Sequence, residues 1–86
     1  MDYYVYILFD TKTNDVFYVG KGKGFRIDHH ENDAIESEKT EKIKALQKDS
    51  RFGKRIVGRY ATENEAHAVE TVLIKWVYGF DNLTNK

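Results

Sequence analysis

The sequence predicts a small α+β domain, in which a three-stranded antiparallel sheet is flanked by helices. Its 86 residues suffice for one domain with a single modest core. Residues 3–9 and 16–20 have high strand propensity, and a polar turn separates them. Residues 62–79 carry the start and stop signals of a helix. We therefore expect the whole chain, residues 1–86, to be one domain.

The first two strands read as a hairpin around the polar residues 10–15. If Leu8 pairs with Val16, the antiparallel register places Tyr6 directly opposite Tyr18, with both side chains on one face and in contact. The first strand is apolar on both faces, so we expect both sides of the sheet to be covered.

The middle of the chain predicts three further elements. Residues 25–30 are typical of one or two helical turns, and residues 37–48 of a charged surface helix. The apolar contribution of that helix is thin and comes from Ile43, Ala45 and Leu46. Residues 52–60 form a plausible third strand, interrupted by two glycines.

The last helix has a clear beginning and end. Thr62 and Glu65 fit a capping box, and the helix is expected to run to about Tyr78 and to stop at Gly79. At helical spacing, its apolar stripe consists of Ala66, Val69, Leu73, Trp76 and Val77, with Trp76 as a core residue.

Glu70 projects inside that apolar stripe. A lone carboxylate facing a core is costly unless it is paired, hydrogen-bonded or bound to a metal ion. A buried salt bridge, or a position at the rim of the apolar face, would explain Glu70 without a functional role. A functional role gains support only if other candidate site residues converge on Glu70.

Composition excludes several classes of protein. The 14 basic and 14 acidic residues give a net charge of zero, so strong non-specific attraction to a polyanion is not expected. There is no cysteine, which excludes disulfides and thiolate zinc sites. No apolar run approaches the ~20 residues of a membrane span, and no signal-peptide pattern is present. We expect an intracellular protein, in the cytoplasm or in the nucleoid or nucleus.

The charges are nevertheless segregated along the sequence. The acidic residues crowd between residues 28 and 41, whereas two other segments are basic. These segments could form a phosphate-facing surface, although ordinary solvated faces would show the same pattern. Their basic residues are Lys21, Lys23 and Arg26 in the first, and Arg51, Lys54, Arg55 and Arg59 in the second.

Tyrosines and a lysine–glycine ladder dominate the hairpin. Tyr6 and Tyr18 stand where buried strands usually carry Phe, Ile or Val, which suggests that their polar tips are needed, with a phosphate as the candidate ligand. Residues 21–24 read Lys-Gly-Lys-Gly and lack the spacing of a Walker A loop. Taken alone, the tyrosines could also be plain strand aromatics.

These motifs resemble the GIY-YIG nuclease domain, and the resemblance covers essentially the whole chain. Tyr4-Val5-Tyr6 stands in the place of the family's Gly-Ile-Tyr, and Tyr18-Val19-Gly20 in the place of Tyr-Ile-Gly. Tyr4 therefore replaces the first glycine of the family. The string Tyr-Val-Gly-Lys-Gly-Lys-Gly is similar to a branch in which glycines and lysines follow the second motif.

Four further residues extend the resemblance in the expected order. Arg26 and His30 follow the second motif at fitting distances, and Glu70 matches the helix that carries the family's metal-binding glutamate. Asn85 matches the closing asparagine, with Asn82 as an alternative. Each short match is weak, but the ordered set is specific.

The resemblance implies a divalent-metal-dependent endonuclease that hydrolyses phosphodiester bonds in DNA. Glu70 would hold one Mg²⁺ or Mn²⁺ ion, and Arg26 would clamp the scissile phosphate. Tyr6 would be the general base, helped by His30, Lys21 or the metal ion, and Tyr18 would orient Tyr6 or the water. Asn85 would brace the site, while phosphate and backbone contacts would come from Lys21, Lys23, Gly22 and Gly24.

The same resemblance makes nucleic acid the expected partner, most simply DNA, and no membrane is expected. Because the proposed basic patch is small, an additional domain, another subunit or self-association would be needed for high affinity. Two alternatives remain open. One is a non-catalytic nucleic-acid-binding module of the same fold, and the other is a structural protein whose tyrosines merely pack.

For His67, with no evident partner, a surface or packing role is expected.

Overall fold

A computed structural model describes residues 2–24, 27 and 38–84, and it confirms the α+β fold with a three-stranded antiparallel sheet. Except for Ile27, the helical turns expected over residues 25–30 lie outside the described residues. The elements are, in chain order, β1 (Tyr3–Asp10), β2 (Val16–Lys23), α1 (Glu38–Lys48), β3 (Phe52–Tyr60) and α2 (Glu63–Val72), which continues into a π-helical segment (Leu73–Tyr78) and a short 3₁₀ helix (Phe80–Asn82).

The central strand is β1, and the order across the sheet is β2-β1-β3. Both faces of the sheet are covered, as the apolar sequence of β1 predicted. Side chains on one face pack with α1, in a cluster of Tyr4, Tyr6, Leu8, Phe17, Ile43 and Leu46. The other face packs with α2, in a cluster of Val5, Ile7, Val19, Ala66 and Leu83.

The predicted register of the hairpin is wrong by two residues. Tyr6 lies opposite Gly20, and Tyr18 lies opposite Leu8. One residue of the offset comes from the turn, since Val16 pairs with Phe9 and not with Leu8, and the other comes from the shift between Leu8 and Phe9. One extra residue of β2, Phe17, enters at this shift and is buried on the same side as Tyr18. Tyr6 and Tyr18 still share a face, now as diagonal neighbours whose ring centroids are 6.1 Å apart.

The expected core position of Trp76 is also wrong, since this side chain is 80% exposed. The α-helical period ends at Val72, and in the π-helical segment hydrogen bonds run from i to i+5. Tyr78, five residues after Leu73, therefore takes the inward direction and packs on the core together with Leu73. Val77, the other late member of the expected stripe, is exposed as well.

One of the three residues that α1 buries differs from the expectation. Ile43 and Leu46 are buried against the sheet, whereas Ala45 is exposed and Thr40 is buried in its place.

The two basic segments lie on opposite edges of the sheet, because β1 separates β2 from β3. Arg51, at the start of the second segment, is held by a buried carboxylate at the end of β1. Its guanidinium donates from Nε to Oδ1 of Asp10 over 3.1 Å and from Nη2 to Oδ2. Within the described ranges, no helix has the length and apolar character needed to cross a membrane.

Candidate active site

The glycines of β2 lie beneath tyrosine rings. A Cβ atom at Gly20 would be 2.4 Å from Cζ of Tyr6, and one at Gly22 would be 2.9 Å from Cε1 of Tyr4. Any side chain at these positions would overlap the rings, so glycine is required where each ring crosses the strand. Because side chains alternate along a strand, Lys21 then points to the other face of the sheet. β2 thus accommodates tyrosine rings over its glycines on one face of the sheet, and Lys21 lies on the other face.

Tyr6 is held as a neutral phenol. It is 1% exposed, and burial raises its pKa far above the ordinary tyrosine value. The charge that Tyr18 would carry and a hydrogen bond with its side chain act in the same direction. Weaker contributions come from Tyr4 and from the negative charge of Glu70. At neutral pH, Tyr6 can therefore orient a ligand through its hydroxyl, but its ionised form is scarce.

Glu70 lies close enough for its charge to act on Tyr6. Its side chain is 18% exposed, and α2 carries it among residues that pack against the sheet. Within the described residues it has one polar contact, between its Oε1 and Nδ1 of His67 over 3.3 Å. The expected placement of Glu70 within the helix face that packs on the sheet is thus observed, and its carboxylate keeps an open side toward solvent.

The two lysines of the ladder have protein contacts of their own. Lys21 forms an ion pair with Glu63 of α2, with Nζ 3.2 Å from Oε1. Lys23 lies over the ring of Tyr3, 5.4 Å from its centroid. Lys21 would have to exchange Glu63 for a phosphate, whereas Lys23 is exposed and available. Their substrate contacts stay predictions, as do those of Gly22 and Gly24.

Two other cations stand over tyrosine rings on the α1 side of the sheet. Arg59 lies 5.7 Å from the ring centroid of Tyr4, and Lys39 lies 5.1 Å from that of Tyr18. Cations held over aromatic rings are attracted by the negative face of the ring. The tyrosine cluster is therefore bordered by two positive charges, of which Arg59 belongs to the second basic segment and Lys39 was not indicated by the sequence.

Arg26, His30 and Asn85 lie outside the described residues, so their roles stay predictions. The neighbours of the last one are described. The backbone N–H and the hydroxyl of Thr84 both donate to the carbonyl oxygen of Phe17, over 2.7 and 2.9 Å. These bonds attach the chain beside β2, one residue before Tyr18. The alternative, Asn82, donates from Nδ2 to the carbonyl of Tyr78 over 2.9 Å and so caps the helix end.

Comparison with known proteins identifies the family of the chain. The family model of the LEM-3-like GIY-YIG domain matches residues 3–86. The chain belongs to the GIY-YIG family. No curated protein and no solved structure gave a significant match. GIY-YIG domains are nuclease domains that generally depend on a divalent metal ion, so the membership supports a nuclease in general and a nucleic acid as its substrate.

The residues of this GIY-YIG domain fit a hard cation that keeps most of its water. Over residues 2–24, 27 and 38–84, no three His, Asp or Glu side chains converge as a metal cage. Near the tyrosine pair, Glu70 offers a largely buried carboxylate that is 18% exposed. Mg²⁺ is commonly bound by one or two carboxylates, with waters and substrate phosphates completing its shell, whereas zinc sites require three or four protein ligands. Within the described residues, this single carboxylate fits a hard divalent cation whose shell is completed by water and phosphate oxygens.

Sequence reasoning missed two features of the site. His67 has a partner after all, since it lies one helical turn before Glu70 at the i,i+3 spacing that brings side chains together. That spacing was readable from the sequence. The second feature is the hydroxyl of Tyr4, which donates to the carbonyl of Gly24 over 2.7 Å and accepts from the N–H of Ile27 over 3.0 Å. These contacts depend on the fold, and no motif signals them.

Proposed function

We propose that this GIY-YIG domain is a divalent-metal-dependent endonuclease that hydrolyses phosphodiester bonds in DNA. The observation that carries the proposal is the Glu70 carboxylate, largely buried and within electrostatic reach of the Tyr6–Tyr18 pair. The one polar contact of Glu70 within the described residues, with His67, leaves its second carboxylate oxygen available to a ligand, and Glu70 stands on the helix that carries the family's metal-binding glutamate.

Each candidate site residue has a defined role in this proposal. Glu70 would hold one Mg²⁺ or Mn²⁺ ion, which would supply Lewis acidity at the phosphate. Arg26 would clamp the scissile phosphate and offset the charge that develops in the transition state. Lys23 and Lys21 would contact neighbouring phosphates, and His30 and Asn85 would complete the site.

The role of Tyr6 follows from its protonation. A general base must be ionised, and the surroundings of Tyr6 oppose ionisation. As a neutral phenol, Tyr6 can accept a hydrogen bond from the attacking water and fix its direction. We assign orientation of the water to Tyr6, with Tyr18 holding the hydroxyl of Tyr6. Base catalysis by Tyr6 would require loss of its proton first.

The test is a cleavage panel with supercoiled, linear and branched DNA in Mg²⁺, in Mn²⁺ and in EDTA. We expect cleavage only with the metal ions, and loss of at least about 100-fold in rate for Glu70→Ala and for Arg26→Ala. Glu41→Gln, which removes an exposed carboxylate of α1, is the control and should keep the wild-type rate. Circular dichroism would show that each variant is folded.

Two results would contradict the proposal. Wild-type-like cleavage by folded Glu70→Ala would remove Glu70 from the reaction. Salt-sensitive DNA binding without cleavage, under every metal ion and substrate shape, would instead support the non-catalytic nucleic-acid-binding module. Because the basic surface is small, the panel should include the domain within any longer chain that carries it, where a further domain or subunit could supply affinity.

A further inference from the structure

The hydroxyl of Tyr4 binds both ends of a short stretch of chain. It donates to the carbonyl oxygen of Gly24 over 2.7 Å and accepts from the N–H of Ile27 over 3.0 Å. Only residues 25 and 26 stand between these two partners in the sequence. One oxygen atom thus bonds to the backbone of both Gly24 and Ile27, and Arg26 lies between these two residues in the sequence.

The ring that carries this hydroxyl is itself fixed. Tyr4 is 1% exposed, and its ring crosses β2 directly above Gly22. Arg59 lies over the ring at 5.7 Å, and the ring of Tyr6 packs beside it with centroids 6.0 Å apart. The hydroxyl is a rigid anchor, because the sheet, the neighbouring tyrosine and a cation all hold the ring in one place.

We propose that Tyr4 is a positioning residue for Arg26. This inference rests on the proposed function, in which Arg26 clamps the scissile phosphate. An arginine side chain is long and flexible, so the position of its guanidinium depends on how firmly its backbone is held. By bonding to Gly24 and Ile27, the Tyr4 hydroxyl restricts the backbone on both sides of Arg26. A glycine at position 4 could not make these bonds.

The test compares two Tyr→Phe variants on the same strand. Tyr4→Phe removes the bonding hydroxyl and keeps the ring above Gly22. Tyr3→Phe removes a hydroxyl from the opposite face of β1, where it makes no hydrogen bond within residues 2–24, 27 and 38–84, and is the matched control. We expect Tyr4→Phe to lower the single-turnover cleavage rate by about 10- to 100-fold. The DNA dissociation constant, measured in Ca²⁺, should change by less than about 2-fold in both variants.

A double-mutant cycle shows whether Tyr4 acts through Arg26. In an Arg26→Lys background, which retains a cation without the guanidinium fork, Tyr4→Phe should lower the remaining rate by less than about 2-fold. Full additivity of the two substitutions would overturn the positioning role. So would a Tyr4→Phe effect confined to the dissociation constant.

Amide hydrogen exchange tests the backbone hydrogen bonds of the Tyr4 hydroxyl independently of catalysis. Loss of the Tyr4 hydroxyl should speed exchange at the Ile27 N–H by about 3- to 10-fold, relative to amides of the β1–β3 ladder. Tyr3→Phe should leave it unchanged. If no variant and no wild-type protein cleaves DNA, the proposed function fails, and faster Ile27 exchange still supports the anchor. Unchanged exchange in Tyr4→Phe overturns it in either case.

Discussion

At the scale of single residues, the site depends on the absence of a side chain at position 20. Gly20 has no side chain, and the ring of Tyr6 uses the vacated space to cross β2. Tyr6 can then be almost completely buried while its hydroxyl stays beside Tyr18 and within electrostatic reach of Glu70. The glycine in the second motif thus positions the tyrosine of the first motif.

Gly20→Ala should consequently destabilise the domain and displace Tyr6. The new methyl group would sit 2.4 Å from Cζ of Tyr6, a distance that real contacts do not allow, so the ring or the strand must move. Overpacking of this kind costs about 1–3 kcal/mol. The free energy of unfolding, measured with urea, would show the loss.

The rescue of Gly20→Ala distinguishes a clash with Tyr6 from an effect on the strand itself. In a Tyr6→Leu background the ring is gone, and the cost of the added methyl should fall below about 1 kcal/mol. An equal cost in both backgrounds would mean that the backbone of β2, and not the ring, requires glycine at this position.

At the scale of elements, signals carried by neighbouring residues predicted several boundaries of strands and helices correctly. The assumption of regular strand and helix periods gave a wrong strand pairing and wrong core positions. The bounds of β3, the capping box at Thr62 and the stop at Gly79 are decided by residues within a few positions, and the structure confirms them. The Thr62 hydroxyl accepts from the N–H of Glu65 over 3.2 Å and donates to its carboxylate over 3.0 Å. Such pairs are readable because both partners lie close together in sequence.

The bulge in β2 and the π-helical segment could not be read in the same way. The bulge changes which residues pair across the strands, and the π-helical segment changes the direction of the side chains that follow it. Tyr18 lies opposite Leu8 instead of Tyr6, although both tyrosines keep the predicted face, and Trp76 faces solvent instead of the core. Tertiary packing favours these irregularities, since they let Phe17 and Tyr78 join the two cores.

The Asp10–Arg51 pair joins the end of β1 to the residue before β3, and its contribution to stability should depend on pH. Hydrogen bonds from Arg51 hold the pKa of the Asp10 carboxyl below its ordinary value of about 3.9. A lowered folded-state pKa stabilises the folded protein fully above the unfolded pKa. The stabilisation is lost as pH falls through the folded pKa.

Asp10→Asn should therefore lower the free energy of unfolding by a constant amount between pH 5 and 7, roughly one unit or more above the ordinary carboxyl pKa. The difference between wild type and variant should shrink below about pH 4. Urea unfolding at a series of pH values measures this difference. Asp15→Asn, at an exposed turn residue, is the control. A difference that stays constant down to pH 2 would show that the charge of Asp10 is not what stabilises the junction.

At the scale of the whole molecule, charge balance limits how the domain can hold DNA. The net charge is zero, and ion pairs already engage Lys21 and Arg51. β2 and β3 carry their cations on opposite edges of the sheet, so one straight DNA backbone would meet only part of them. Binding should therefore be weak, with few counterions released.

Glu63→Gln should strengthen DNA binding, because it frees Lys21 for a phosphate. The Nζ atom of Lys21 lies 3.2 Å from Oε1 of Glu63, and this pairing competes with any substrate contact. We expect affinity to rise by about 2- to 5-fold at low salt, and the slope of log K against log salt to become more negative by about 0.9, the value for one additional phosphate contact. Fluorescence anisotropy with a labelled duplex, over a range of salt concentrations, measures both. Glu41→Gln changes the net charge by the same amount on α1, away from Lys21. If both variants gain equally, the total charge governs binding and Lys21 does not contact the DNA.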